Sequence, residues 1–227
     1  MQARPFPSVA TAALSIPLLL AWEASGGDRL VAGLAGGPLG FAWREHWLLT
    51  SLLHEGGRRV SWALVLALSL GVWWPVGPLR QLDSARRMQL AATPLAAALA
   101  VALPKGLNAT SCPWDLADFG GVAQRVDHWI GFLHSDGGSG HCFPAGHASA
   151  GFCFFGGYFV FRTDQPALAR AWFAAALLAG LVFGLAQQWR GAHFMSHTLW
   201  SGWLCWVIAG CADLLYRRTT AASPVPC

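Results

Sequence analysis

Residues 88–104 read MQLAATPLAAALAVALP, and the chain's only lysine, Lys105, follows them directly. This uncharged run approaches the ~20 apolar residues that cross the hydrocarbon of a bilayer. Five similar runs lie at 6–22, 60–77, 147–161, 167–187 and 198–215, in a chain that is 55% hydrophobic and 11% charged. The pattern predicts an all-α, polytopic membrane protein in which six transmembrane helices form a bundle.

The first apolar run has an alternative interpretation, as a cleaved signal peptide. Arg4 is the only charged residue before it, Pro17 interrupts it, and no small-residue cleavage site follows. We therefore expect a retained helix, and we expect the whole chain, 1–227, to form one domain.

With an even number of spans, both termini lie on the same side of the membrane. Arginine is concentrated in the short segments on that side. These segments are 1–5, 78–87, 162–166 and 216–227, and the longer segments on the other side are poorer in arginine for their length. Positive charge favours the cytoplasmic side, so both termini are predicted to be cytoplasmic, as in the inner membrane of a bacterium. The periplasmic face would then carry all eight histidines, at 46, 54, 128, 134, 141, 147, 193 and 197.

Two outer segments are longer than simple turns. Residues 28–59 mix apolar and charged residues, and a helix over 41–55 is expected to lie on the membrane surface. We expect His54 to be a solvated surface histidine, and a part in binding the substrate is the alternative. Residues 105–143 form a long loop rich in Gly and Asp, which contains Cys112 and Cys142. An oxidising compartment would let these two cysteines pair, and two unpaired thiols are the alternative.

Three separate outer loops bring cations and histidines to one face. Lys105 follows the third run, His147 begins the fourth, and RGAHFMSH (190–197) joins the fifth to the sixth with Arg190, His193 and His197. This set suits phosphoryl transfer, because cations neutralise the phosphoryl oxygens while one histidine attacks and another protonates the leaving oxygen.

The spacing of His193 and His197 also permits a metal site. An i, i+4 pair shares a helix face, as zinc ligands can. The glutamate of H-E-x-x-H is missing, and no carboxylate or cysteine lies nearby in sequence to complete the ligand set. The sequence therefore predicts neither a metal nor a cofactor.

Three motifs resemble the signature of the type 2 phosphatidic acid phosphatase superfamily, which reads K-x6-R-P, P-S-G-H and S-R-x5-H-x3-D. This chain has K-GLNATS-C-P at 105–113, P-A-G-H at 144–147 and H-FMS-H at 193–197. Their order, spacing and position at span ends all agree with the family, over roughly residues 60–215.

The resemblance implies a role for each matching residue. His193 would be the nucleophile that forms a phosphohistidine, and His147 the general acid. Lys105 and Arg190 would bind the phosphate, assisted by the backbone at Gly146, without a metal.

Several positions depart from the family pattern. Cys112 and Gln187 stand where the family has arginine, Ala145 stands in place of serine, and His197 in place of aspartate. Arg190 follows three residues after Gln187, nearly one helical turn further on.

The sequence thus predicts an enzyme that hydrolyses a phosphate or diphosphate ester of a membrane lipid at the outer face. Its partners would be the lipid phosphate and the surrounding membrane lipids, with no nucleic acid. A lipid phosphotransferase that uses the same intermediate is one alternative. A non-catalytic lipid-phosphate binder or transporter is another, although no internal repeat of the kind common in transporters is present.

Overall fold

A computed structural model describes residues 7–221, so Arg4 and the first residue of the run 6–22 lie outside the described part of the chain. Helices account for most of this part. They are α1 (Pro7–Ala24), α2 (Gly27–Ala35), α3 (Gly57–Trp73), α4 (Ser84–Leu107), α5 (Gly146–Phe152), α6 (Gly156–Phe161), α7 (Pro166–Trp189) and α8 (Met195–Ala221).

Short elements connect these helices. A two-stranded antiparallel hairpin, β1 (Gly36–Gly37) and β2 (Gly40–Phe41), pairs Gly36 with Phe41. A π-helix, Leu48–Gly56, runs directly into α3. The 3₁₀ helices are Gly77–Gln81, Pro113–Asp115, Ala117–Phe119, Ile130–Phe132 and Cys153–Phe155.

Within the described residues, four helical stretches are long and apolar enough to cross a membrane. They are Leu48–Gln81, Ser84–Leu107, Pro166–Trp189 and Met195–Thr220, and a shorter apolar helix covers Ala10–Ala24. Large apolar side chains on these helices, such as Leu66, Leu99 and Leu178, are more than half exposed. A soluble monomer rarely exposes so much apolar surface, so the chain is an integral membrane protein.

The fourth predicted span, 147–161, is not one regular helix. It consists of α5, a 3₁₀ turn and α6, and it packs against α4, α7 and α8. Phe152, Phe155 and Phe159 on this stretch are almost completely buried. The stretch is a short, broken central helix in the bundle, and a count of six transmembrane helices stays a prediction.

Glycines allow this central helix to approach its neighbours closely. A Cβ added at Gly151 would overlap the backbone of Gly180 on α7, and one added at Gly157 would overlap the ring of Trp172. Because backbone atoms cannot move aside as a flexible side chain can, α5 and α7 can lie this close only with glycine at the crossing.

An ionic cluster closes one end of the bundle. Asp213 on α8, which is 2% exposed, lies 2.7 Å from Arg86 Nη1, 2.7 Å from Arg162 Nη2 and 2.8 Å from Arg217 Nε. Arg86 begins α4 and Arg162 follows α6, so the cluster joins three elements. All three arginines belong to the segments predicted to be cytoplasmic, and the histidine-containing loops lie at the opposite ends of α4 and α8.

The segment 28–59 differs from the expected surface helix over 41–55. The chain forms α2, the hairpin and turns at 42–45 before the π-helix begins at Leu48. The π-helix continues into α3, and the side chain of His54 near its end is partly buried, at 27% exposed. π-helical turns are frequent at functional sites.

Candidate active site

Lys105 and His147 meet where α4 ends and α5 begins. A Cβ added at Gly146 would lie 3.6 Å from Lys105 Cδ, so the lysine stem runs alongside the first residue of α5. Lys105, Gly146 and His147 all line a cavity of about 260 Å³ between α3, α4 and α5. The first two motifs therefore form one wall of a cleft.

His147 has one free ring nitrogen in this cleft. Its Nε2 is buried and has no hydrogen-bond partner among residues 7–221. Buried polar atoms are normally paired, so this nitrogen is suited to a group that is supplied by a substrate.

His54 stacks on His147, with ring centroids 3.6 Å apart and an interplanar angle of 21°. The expectation of a solvated surface histidine at position 54 is therefore wrong. The contact could not be read from the sequence because His54 and His147 are separated by 93 residues. In addition, His54 lies in a π-helix, which does not have the α-helical period of about 3.6 residues.

The third motif begins with a tight turn at Gly191. Its φ is +76°, and a Cβ there would overlap the ring of Phe41 from β2. The Trp114 N–H donates to the Gly191 carbonyl at 2.9 Å. Only glycine combines a left-handed backbone with this close approach, and the turn positions Arg190 and His193 on either side.

Asp28 on α2 holds the start of α8. Its Oδ1 accepts the Ser196 backbone N–H at 2.9 Å and the Trp22 Nε1–H at 2.8 Å, while its Oδ2 accepts the Ser196 hydroxyl. A carboxylate at a helix N-terminus satisfies free N–H groups and opposes the positive end of the helix dipole. Asp28 thereby fixes the segment that carries His193 and His197.

His193 and His197 face each other as a buried pair. Their Nδ1 atoms are 3.4 Å apart, and the residues are 5% and 2% exposed. One ring must donate and the other accept. If His193 donates from Nδ1, its Nε2 keeps a lone pair on the opposite edge of the ring, ready to attack.

Burial holds the pKa of His193 well below its ordinary value of 6.5, and the positive charge of Lys105 lowers this pKa further. Protonated His197 and His147 act in the same direction with smaller effects. The cause is that a buried cation near other cations is disfavoured. His193 is therefore neutral at pH 7, the form that a nucleophile requires.

Arg190 reaches back toward the position where the family pattern has arginine. Its Nη1 donates to Gln187 Oε1 at 3.2 Å, and its Nε donates to the Arg44 carbonyl at 2.8 Å. A guanidinium has five N–H donors, so donors remain for a phosphate. Arg190, which is 9% exposed, thus offers a fixed cation close to the position of the missing side chain.

Backbone contacts bind the second motif to the third. The Ala145 N–H donates to the His197 carbonyl at 3.2 Å, and the Ser201 hydroxyl lies 2.9 Å from the carbonyls of both Ala145 and His197. Ala145 is fully buried against α8. These bonds fix α5 with respect to α8, and hence His147 with respect to His193.

Cys112 and Cys142 form a disulfide in the structure. Cys142 Sγ lies 3.5 Å from His193 Nδ1 and 3.1 Å from the Ala192 carbonyl oxygen. Where the family pattern has an arginine, this chain therefore has a disulfide that packs against the turn before His193. Cys112, Cys142 and His193 are also near enough together to ligate a metal ion, but the bonded sulfurs offer no thiolate.

A further histidine, His128, contacts His197. His128 Nε2 is 2.8 Å from Glu23 Oε1, and the His128 ring meets the His197 ring edge-on with centroids 5.5 Å apart. Burial lowers the pKa of His128, while the Glu23 carboxylate acts in the opposite direction. The sequence placed His128 on the same side as His193 and His197 but assigned it no role, and it did not indicate Glu23 or Asp28. The available signal was a carboxylate at the end of an apolar run.

A model of the PAP2 superfamily matches residues 87–220, which is more than half of the chain. The chain belongs to the PAP2 superfamily. Comparison with curated proteins and with solved structures finds no match. The PAP2 match runs from the start of α4 into the end of α8, and so includes all three motifs. Glu23, Asp28 and His54 lie outside it, and these additions to the PAP2 region come from the first part of the chain.

Proposed function

We propose that the protein hydrolyses a phosphate or diphosphate ester of a membrane lipid through a phosphohistidine at His193. PAP2 superfamily members are phosphatases, so a phosphatase role has support from the family match. The observation that carries the proposal is the buried His193, whose Nδ1 lies 3.4 Å from His197 Nδ1 and whose pKa is lowered by burial and by the charge of Lys105.

The reaction has two displacements at phosphorus. His193 Nε2 attacks, the bond between phosphorus and the lipid oxygen breaks, and His147 gives its proton to that oxygen. Water then attacks the phosphohistidine and gives a proton to His147, and the P–N bond breaks to release inorganic phosphate. Lys105 and Arg190 neutralise the phosphoryl oxygens, and the backbone at Gly146 assists them.

The cavity beside His147 supports a lipid as the substrate. It is lined largely by apolar side chains from α3, α4 and α5, including Trp62, Val65, Leu95 and Val101, and it ends at Lys105 and His147. An acyl or polyprenyl chain would lie among the apolar side chains while the phosphate contacts the cations. The site would face the periplasm, since the arginine-rich end of the bundle is opposite and would lie in the cytoplasm.

Phosphate release by the purified protein tests this proposal. The substrates are phosphatidate, phosphatidylglycerol phosphate, a polyprenyl diphosphate and lipid A, each assayed with and without a chelator. We expect release of inorganic phosphate from at least one lipid, unchanged by the chelator and absent in His193→Ala. His134→Ala, which alters an exposed histidine of the 105–143 loop, serves as the matched control.

Two results would overturn the proposal. The first is the absence of release from every lipid by the native protein. The second is loss of activity in chelator that is restored by zinc, which would revive the metal interpretation. Transfer of phosphate to a lipid acceptor without release would instead indicate the phosphotransferase.

A further inference from the structure

Glu23 is a partly buried carboxylate that is held close to α8, the helix that begins just after His193. Its Oε1 accepts the Trp200 Nε1–H at 2.6 Å, and its Oε2 accepts the Trp129 Nε1–H at 3.1 Å. Trp200 lies on α8, three residues after His197 and so on nearly the same face. Glu23 at the end of α1 is therefore anchored to the helix that carries His197.

His128 connects Glu23 to His197. It lies 2.8 Å from the Glu23 carboxylate, and its ring stacks on Phe143, which also packs edge-on against His197. Glu23, His128 and His197 line a common cavity of about 50 Å³. A space of this size with polar walls is large enough for a bridging water. Glu23, His128, His197 and His193 are thus successive neighbours, in a row that begins at the end of α1 and ends at His193.

Asp28 lines the same cavity, but its hydrogen bonds are to Ser196 and Trp22 rather than to a histidine. Its Oδ1 accepts from the Ser196 backbone N–H at the start of α8 and from Trp22 Nε1–H on α1, and its Oδ2 accepts from the Ser196 hydroxyl. Glu23 is the carboxylate that contacts the imidazole next to His197, and its side chain is only 15% exposed.

We propose that Glu23 and His128 are positioning residues for His193. The Glu23 carboxylate supplies, through His128 and His197, the negative charge that an aspartate at position 197 would place directly beside His193. This inference rests on the proposed phosphohistidine reaction. When the bond between His193 Nε2 and phosphorus forms, the ring keeps its Nδ1 proton and becomes positively charged. The His193 Nδ1–H donates a hydrogen bond to His197 Nδ1. The negative charge of the Glu23 carboxylate then stabilises the positive charge of the His193 ring through His128. The proton stays on the histidine pair and the charge disappears when water cleaves the P–N bond.

The physical need for such a carboxylate comes from burial. His193 and His197 are almost fully enclosed, and a new positive charge between them without an anion nearby is costly. Lys105 makes the surroundings still more positive. A carboxylate two rings away, in a largely buried site, is less strongly screened than at a surface.

A double-mutant cycle between Glu23 and His197 tests the inference. The four proteins are the native chain, Glu23→Gln, His197→Asp and the double variant, and kcat/KM for phosphate release is measured on the pH plateau of each. Glu23→Gln should lower kcat/KM about 10-fold in the native background, since contacting residues in one network couple strongly. It should change kcat/KM less than about 2-fold when Asp occupies position 197, because the charge is then supplied locally.

The controls separate this role from simple folding. Asp118→Asn removes an exposed carboxylate that pairs with Arg29, and it should leave kcat/KM unchanged. Equal losses from Glu23→Gln in both backgrounds would show a merely structural role and overturn the inference, as would no loss in the native background. An inactive native protein would refute the proposed function itself, and the inference with it.

Discussion

His193 and His147 have separate tasks in the proposed reaction, and substitution should separate them. His193→Ala should abolish turnover with every substrate, because no other residue can form the P–N bond. His147→Ala should lower kcat by roughly 10²–10⁴-fold on a lipid, the usual contribution of a general acid. With a phosphate ester whose leaving group needs no proton, only the His147 variant should still form a phosphoenzyme.

Rapid quenching with a radiolabelled substrate of this kind measures that difference. Label retained by the protein in acid-labile form is expected for His147→Ala and not for His193→Ala. Near-native turnover by His193→Ala would contradict the assignment of the nucleophile.

The pH dependence of kcat/KM follows from the lowered pKa of His193. Burial and the charge of Lys105 favour the neutral ring, so the acid limb should lie below pH 6.5. An aspartate at position 197 would favour the protonated ring of His193, so His197→Asp should move the acid limb to higher pH. The pH–rate profiles of the two proteins measure this. A native acid limb at or above pH 6.5, or an unmoved limb in His197→Asp, would contradict the argument.

At the scale of elements, the disulfide joins the segment just after α4 to the segment just before α5. It closes a loop of 30 residues, which in the chain-entropy model stabilises the fold by about 3–4 kcal/mol. Cys112→Ser should lower the free energy of unfolding by about this amount, and with it the unfolding temperature. It should also lower kcat, because Cys142 packs against the turn that carries His193.

Unfolding in detergent and the assay above measure both effects. Cys153→Ser, at a buried free cysteine, is the comparison for loss of a thiol alone. Complete alkylation of Cys112 and Cys142 in protein from its native membrane, without prior reduction, would contradict the pairing.

At the scale of the whole molecule, the two ends of the bundle should respond independently. Asp213→Asn leaves three arginines without their carboxylate and should destabilise the protein by about 3–5 kcal/mol, as is usual for a broken buried ion pair. Because the cluster is at the opposite end from His193, kcat of the folded fraction should change little.

Asp164→Asn, at an exposed position after α6, is the control and should have little effect on stability. Thermal unfolding and kcat of the two variants test the separation. A large fall in kcat for Asp213→Asn in fully folded protein would show that the two ends are coupled.

Some features could be determined from the sequence alone because they depend on local composition or fixed spacing. The apolar runs indicate an integral membrane protein wherever they lie in the bundle, since the hydrocarbon imposes length and apolarity on each helix separately. The order and spacing of the motifs at Lys105, His147 and His193 led to the superfamily that the comparison shows. Both features can be recognised without knowing which helices are neighbours.

Only the tertiary structure decided which side chains support those motifs. His54 stacks on His147, Asp28 caps α8, and Glu23 binds His128, and each pair joins segments that are far apart in sequence. The broken fourth helix is similar, because buried glycine and phenylalanine contacts, rather than its own apolar pattern, determine its shape. Periodicity tells which face of an element is buried but not which partner covers it, and here the partner elements bring Glu23 and Asp28 next to the third motif.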